Sequence, residues 1–231
     1  MKKVISIFII LALIFAFAGC AANNSASSGN TATAESKAKE TTSIAPQAEE
    51  TNADETVFEN KSLVVYFSRT GEQYGVGVIE KGNTAIVADM IVAETGAGSF
   101  EIVPKTDNYP TTYDALTDYA KDEQNNNARP EIKDAIENFD TYDTIYLGYP
   151  IWWGDLPMIC YTFLESYDFS GKTIIPFCTH AGSGDAGTQS KIQSAVPNAT
   201  VKEVLAVTGT DAQNDQDSVK ATVSEWLSGM E

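Results

Sequence analysis

The chain has 231 residues, of which 20% are charged, and a formal net charge of −17. Such acidity opposes binding to nucleic acid phosphates or docking on an anionic membrane surface. One histidine and three cysteines exclude a multi-histidine metal centre.

Residues 1–20 read as a targeting segment. Lys2 and Lys3 precede an apolar run over 4–17, which ends in Ala18-Gly19-Cys20. The run is short for a membrane span, which needs about 20 residues, and fits a cleaved signal. Ala18-Gly19-Cys20 resembles the lipobox of bacterial lipoproteins, with Phe17 where an aliphatic residue is usual. The resemblance implies acylation of Cys20 and anchoring outside the cytoplasmic membrane, since two acyl chains hold a protein stably. Residues 21–59 are rich in Ala, Ser, Thr, Asn and Glu and cannot bury enough apolar surface to fold. They read as a flexible tether with a span on the order of 30–40 Å. The tether holds seven acids and two lysines, so residues 60–231 keep a net charge of −14. The acidity belongs mainly to that last segment, the expected folded domain.

From residue 61 strand and helix patterns alternate. Strands are expected over 63–67, 99–103, 143–147, 172–178 and 200–206, and helices over 84–94, 112–123, 158–167, 188–195 and 217–227. Five strands alternating with helices predict an α/β fold, a three-layer sandwich around a parallel sheet. Order 2-1-3-4-5 is one of two that suit the pattern. In that order the loops after strands one, three and four converge at the switch point, where ligands bind.

Those three loops carry unusual residues. After strand one come Ser68, Arg69, Thr70 and Gly71, with Asn83 and Thr84 opening the next helix. Hydroxyls and amides at a helix start suit a phosphate, and Arg69 is a candidate charged donor. After strand three comes Gly148-Tyr149-Pro150-Ile151-Trp152-Trp153-Gly154, expected as a loop with two flat apolar side chains. After strand four comes Cys178-Thr179-His180-Ala181-Gly182-Ser183-Gly184. Cys160 and Cys178 are expected as buried free thiols. Gly75-Val76-Gly77 lacks the third glycine and the strand-to-helix context of a dinucleotide fingerprint.

Taken together, these loops resemble flavodoxin. Tyr66-Phe67-Ser68-Arg69-Thr70-Gly71 with Asn83-Thr84 is similar to its phosphate loop, normally an unbroken Ser-x-Thr-Gly-Asn-Thr. The other two loops are similar to those that flank its flavin. The resemblance implies one noncovalent FMN. Ser68, Arg69, Thr70, Asn83 and Thr84 would hold the phosphate. Pro150, Ile151, Trp152, Trp153 and Gly154, with Thr179, His180, Gly182, Ser183 and Gly184, would flank the ring. The Gly154 carbonyl would turn to accept the N–H of the reduced ring. Asp155, Glu165, Asp168 and Asp185, near these loops in sequence, would contribute to a low potential and to docking.

The phosphate loop departs from the pattern through the eleven residues 72–82. This insertion loops out, covers the flavin as a lid or disables the site. Tyr74 is a further candidate for lining the site, and Gly82 an alternative to Gly71 in the motif. The expected function is a membrane-tethered electron carrier with a redox partner protein or a small-molecule donor or acceptor. An NAD(P)H-dependent quinone or flavin reductase on the same fold is the alternative, and a flavin-free binding protein the third.

Overall fold

Side-chain alternation along four buried strands sorts the core onto two faces of one parallel sheet. The computed structural model describes residues 61–230; the leader, Cys20 and the tether over 21–59 lie outside them. In chain order the main elements are β1 (Ser62–Tyr66), β2 (Gly71–Gln73), β3 (Gly77–Ile79), α1 (Asn83–Thr95), β4 (Gly98–Glu101), α2 (Tyr113–Asn125) and β5 (Thr144–Pro150). They continue with α3 (Met158–Ser166), β6 (Thr173–His180), α4 (Thr188–Ala195), β7 (Thr200–Val201), β8 (Leu205–Thr208), α5 (Gly209–Asn214) and α6 (Gln216–Ser228).

The sheet runs β4-β1-β5-β6, with β7 and β8 both paired to the far side of β6. All these pairings are parallel. Counting β7 and β8 as one interrupted strand gives the expected order 2-1-3-4-5. Leu63, Val65, Ile145, Leu147 and Ile174 face one layer, where they pack with Leu116, Ile159, Phe163 and Ile192 of α2, α3 and α4. Val64, Tyr146 and Ile175 face the other, against Val87 and Ile91 of α1, Ala212 of α5, and Val219 and Val223 of α6. This period of two is what a two-sided buried sheet demands. Each large apolar side chain so buried contributes roughly 1.5–3 kcal/mol.

The interruption of the fifth strand has a local cause. Ile174 carbonyl accepts the Lys202 amide at 2.9 Å, so Ile174 directs its backbone towards β7. In a parallel strand alternate residues bond to the same neighbour. Pro176, two residues on, therefore turns its missing N–H to that side. Pairing lapses there, between Ile174↔Val201 and Phe177↔Leu205. A proline inside a strand is tolerated where the ladder has a gap.

Two strands run further than expected. β5 extends through Pro150 and β6 through His180, so Gly148, Tyr149, Pro150, Thr179 and His180 are strand residues rather than loop. Their register, Tyr149↔Cys178 and Pro150↔Thr179, carries both segments to the carboxyl edge of the sheet together. The insertion, in which the sequence pattern marks no element, forms an antiparallel hairpin of β2 and β3.

Candidate functional site

The loops leaving β1, β5, β6 and β8 meet at the carboxyl edge around a cavity of about 410 Å³. That volume lies within the usual range of about 300–1,000 Å³ for small-molecule sites. Its floor is the start of α1. Gly82 precedes the helix with φ −64° and ψ 147°, a conformation open to any residue. What requires glycine is space: a Cβ there would lie 2.1 Å from Ser68 Oγ and 2.6 Å from the Arg69 carbonyl oxygen. The close approach lets Ser68 Oγ accept the Ala85 amide at 3.0 Å, a cap supplied from another loop. The amides of Asn83 and Thr84, first in the helix, have no intrahelical acceptor. They carry the positive end of the helix dipole. Thr84 and Thr179 share a hydrogen bond of 2.8 Å between their hydroxyls, tying α1 to the end of β6. Asn83 Oδ1 accepts from Gln213 Nε2 at 2.8 Å, tying the same point to α5.

One wall is a tight turn. Trp152 and Asp155 exchange backbone hydrogen bonds of 2.9 and 3.0 Å, and Trp153 and Gly154 between them have φ of 51° and 71°. Two positive φ values make this a type I′ turn. Gly154 takes that conformation without penalty, whereas a left-handed Trp costs roughly 1–2 kcal/mol. Trp153 is held there by its Nε1, which donates to the Thr117 carbonyl at 2.7 Å, and by Lys121 Nζ, 4.9 Å from its ring centroid. It stays 53% exposed. Trp152 turns inward, edge-on to Phe67 at 5.5 Å and beside Tyr109 at 5.6 Å.

A second wall is the end of β6, the strand paired with β5. The Gly182 amide donates to His180 Nδ1 at 3.0 Å, which leaves the proton of a neutral imidazole on Nε2. Burial pushes the His180 pKa below its ordinary value, against the opposing pull of Asp211 and Asp185. His180 is therefore neutral at pH 7.

The inserted hairpin closes a further side. The Glu72 amide donates to the Thr111 carbonyl at 2.8 Å, and Glu72 Oε2 accepts the Tyr113 amide at 2.9 Å. The Tyr74 and Tyr113 rings lie 5.7 Å apart. At the hairpin's return, Gln213 Nε2 donates to the Lys81 carbonyl at 2.9 Å. Gln73 and Tyr74 consequently line the cavity. The insertion does not loop out of the site.

Of the residues expected in the site, Ser68, Arg69, Asn83, Thr84, Pro150, Ile151, Trp152, Trp153, Thr179 and His180 line this cavity. Thr70, Gly154, Gly182, Ser183 and Gly184 do not. Thr70 is exposed at the root of the hairpin. The Gly154 carbonyl accepts from Lys191 Nζ at 2.7 Å. Arg69 is a lining residue but no free cation: its Nη1 binds both carboxylate oxygens of Asp107 at 2.8 and 2.9 Å, and Nη2 donates to the Tyr109 carbonyl. The acids expected to set a potential are outside the lining too. Asp155 pairs with Lys191 at 3.0 Å and accepts from Tyr161; Glu165 pairs with Arg129 at 2.7 Å; Asp168 accepts the Ser170 amide.

Sequence reasoning missed Gln73, Tyr113, Leu116, Thr117, Ala120 and Gly209, all of which line the cavity. The four on α2 fall at i, i+3, i+4 and i+7, a stripe that sequence alone reads as core. Cys160 and Cys178 are free and buried, as expected. Among the described residues there is no cluster able to hold a metal ion, and no helix is long and apolar enough to cross a membrane.

A sequence model of the flavodoxin family matches residues 61–227. The chain belongs to the flavodoxin family. Solved structures agree with this flavodoxin assignment. A candidate flavoprotein from Bacteroides eggerthii is 30% identical, with a TM-score of 0.56 over 71% of this chain and 96% of that one. Another from Bacteroides uniformis is 28% identical, with a TM-score of 0.58 over 71% and 98%. A flavoprotein from Lactobacillus acidophilus, solved in complex with FMN, is 24% identical and shares the fold with a TM-score of 0.52 over 69% and 99%. No curated protein matches this flavodoxin-family chain.

Proposed function

We propose that the cavity binds one FMN noncovalently and that the protein carries electrons at the outer face of the cytoplasmic membrane, tethered through Cys20. The observation that carries the flavin reading is the Gly82 cradle beside the Trp152-Trp153 turn. At one end, Gly82 packs so closely on Ser68 and the Arg69 backbone that the start of α1, with the Asn83 and Thr84 amides, lies beside the hydroxyls of Ser68 and Thr84. At the other stand flat aromatic side chains. Anion site and flat apolar walls within one cavity are the two halves of what a flavin mononucleotide requires. Arg69, the one lysine or arginine in the lining, is neutralised by Asp107. A phosphate would thus be held by amides, hydroxyls and the helix dipole, without a free cation.

FMN supplies the redox chemistry, and the protein supplies binding and electrostatics. The residues around it have defined tasks. Trp152 and Trp153 exclude water from the ring. Neutral His180 offers Nε2–H as a donor at the other wall. The exposed Trp153 edge, next to solvent, would give a partner access to the ring.

Reduction followed by a turnover assay tests the carrier reading. The FMN-loaded protein should accept electrons from a chemical reductant yet show no steady oxidation of NADH or NADPH with a quinone acceptor. Sustained turnover would assign the protein to the reductase class instead. A Cys20→Ala variant should appear in the soluble fraction of cells that retain the wild type in the membrane fraction. Equal membrane retention of the two would reject the lipid tether.

A further inference from the structure

We propose that Gln73 is a ligand-binding residue, carried over the cavity by the inserted hairpin, which acts as a strap that retains the bound flavin. The inference rests on the FMN reading above and extends it to a segment the flavodoxin phosphate loop normally lacks.

Three observations converge on it. The first is anchoring at separate points of the rim. Glu72 holds the outgoing strand to Thr111 and Tyr113 ahead of and at the start of α2, while Gln213 of α5 holds the returning chain at Lys81. Near the tip, a Cβ on Gly75 would lie 3.5 Å from Thr210 Oγ1, so the turn approaches α5 as well. The hairpin therefore bridges from α2 to α5, the elements on opposite sides of the sheet. The second is polarity. Gln73 lines the cavity, and its Nε2 is buried with no protein partner. A buried amide left without a partner costs about 1–3 kcal/mol, so a position that keeps one calls for an explanation. Rotation about the terminal torsion exchanges the carboxamide's two ends, which lets Gln73 offer either a donor or an acceptor to a molecule in the cavity. The third is apolar exposure. Tyr74 beside it also lines the cavity and is 62% exposed, so its ring is available to a molecule in the cavity. Tyr74 against Tyr113 completes an aromatic rim that a flavin would bury.

A strap of this kind acts on release. Direct contacts from Gln73 strengthen binding, and a ligand leaving the cavity must displace a hairpin anchored at both sides. The root allows a clean removal. Gly82 packs directly on the Arg69 backbone, so deleting residues 71–81 joins Thr70 to Gly82 where the chain has already returned to its starting point.

The test measures FMN affinity and dissociation rate by flavin fluorescence on the whole chain in detergent. Compared with wild type, Gln73→Ala should bind FMN about three- to tenfold more weakly, the loss of one neutral hydrogen bond. The deletion should raise the dissociation rate by about tenfold or more. Val78→Ala, on the same hairpin but 80% exposed and outside the lining, should match wild type. Ligand-free thermal melting separates a binding effect from a folding one, and if the deletion fails to fold, Gln73→Ala decides alone. Wild-type affinity and release in Gln73→Ala would overturn the strap while leaving the FMN reading intact. A wild-type chain that takes up no FMN would overturn both.

Discussion

Gly82→Ala strikes the point on which the anion end of the site depends. Its backbone conformation, φ −64° and ψ 147°, suits alanine, so any cost is steric. The new Cβ would meet Ser68 Oγ at 2.1 Å, the Arg69 carbonyl at 2.6 Å and the Arg69 amide at 3.0 Å. Ser68 Oγ can rotate away, but doing so gives up the Ala85 cap, worth about 1 kcal/mol. The two Arg69 contacts are backbone and yield only if the loop shifts, an overpacking cost of about 1–3 kcal/mol. Together these predict a loss of about 2–4 kcal/mol in denaturant unfolding, with FMN affinity reduced because Ser68 moves relative to the α1 amides. Two variants separate the causes. Ser68→Ala removes the cap without crowding the Arg69 backbone and should cost about 1 kcal/mol of stability, along with the phosphate contact of its hydroxyl. Gly154→Ala meets nothing within 4 Å but has φ of 71°, and should cost roughly 1–2 kcal/mol of backbone strain while sparing FMN affinity. A Gly82→Ala protein as stable as wild type, with unchanged FMN affinity, would refute the cradle.

Other outcomes follow from the same geometry. Trp153→Gly should leave stability within about 1 kcal/mol, because relief of the left-handed strain offsets the lost bond to Thr117. It should weaken FMN by about tenfold through the loss of an aromatic wall, measured by fluorescence titration. Glu123 is buried, accepts the Tyr109 hydroxyl at 3.0 Å, and has a carboxyl pKa raised by that burial. A raised folded pKa means stability present at low pH and lost as pH rises through it. Glu123→Gln should therefore gain stability relative to wild type at pH 7 and lose that advantage below the ordinary carboxylate range, in unfolding curves taken across pH. Burial pushes the Cys178 thiol up to about 12 and raises that of Cys160 as well, so neither should react with a thiol reagent until the protein is unfolded.

The sheet was legible because its code is local. Runs such as Leu63-Val64-Val65 and Ile174-Ile175 are short and rich in β-branched residues, which reads as strands buried on both faces, and the helices between them point to parallel topology. The end points were less legible. Gly148, Tyr149 and Pro150 read as a break, yet pairing with β6 extends the strand through them, and a proline at a strand end breaks nothing. Gly148 also serves packing: a Cβ there would lie 2.2 Å from the Phe177 ring, a requirement set by a residue 29 positions away. The same limit governs the site. Ser68, Asn83 and Thr84 could be named because a helix start has a fixed chemistry. The commitment of Arg69 to Asp107, 38 residues later, and of the Gly154 carbonyl to Lys191, 37 residues later, has no local signature. Nor does the hairpin's placement, which is set by Thr111, Tyr113 and Gln213.

The most direct measurement is FMN retention by the purified whole chain: reconstitution with excess FMN, gel filtration, then a visible spectrum before and after denaturation. The account predicts flavin bands that travel with the protein at about one FMN per chain and are released as free FMN on unfolding. A chain that emerges colourless from excess FMN, while still folded by circular dichroism, would contradict it.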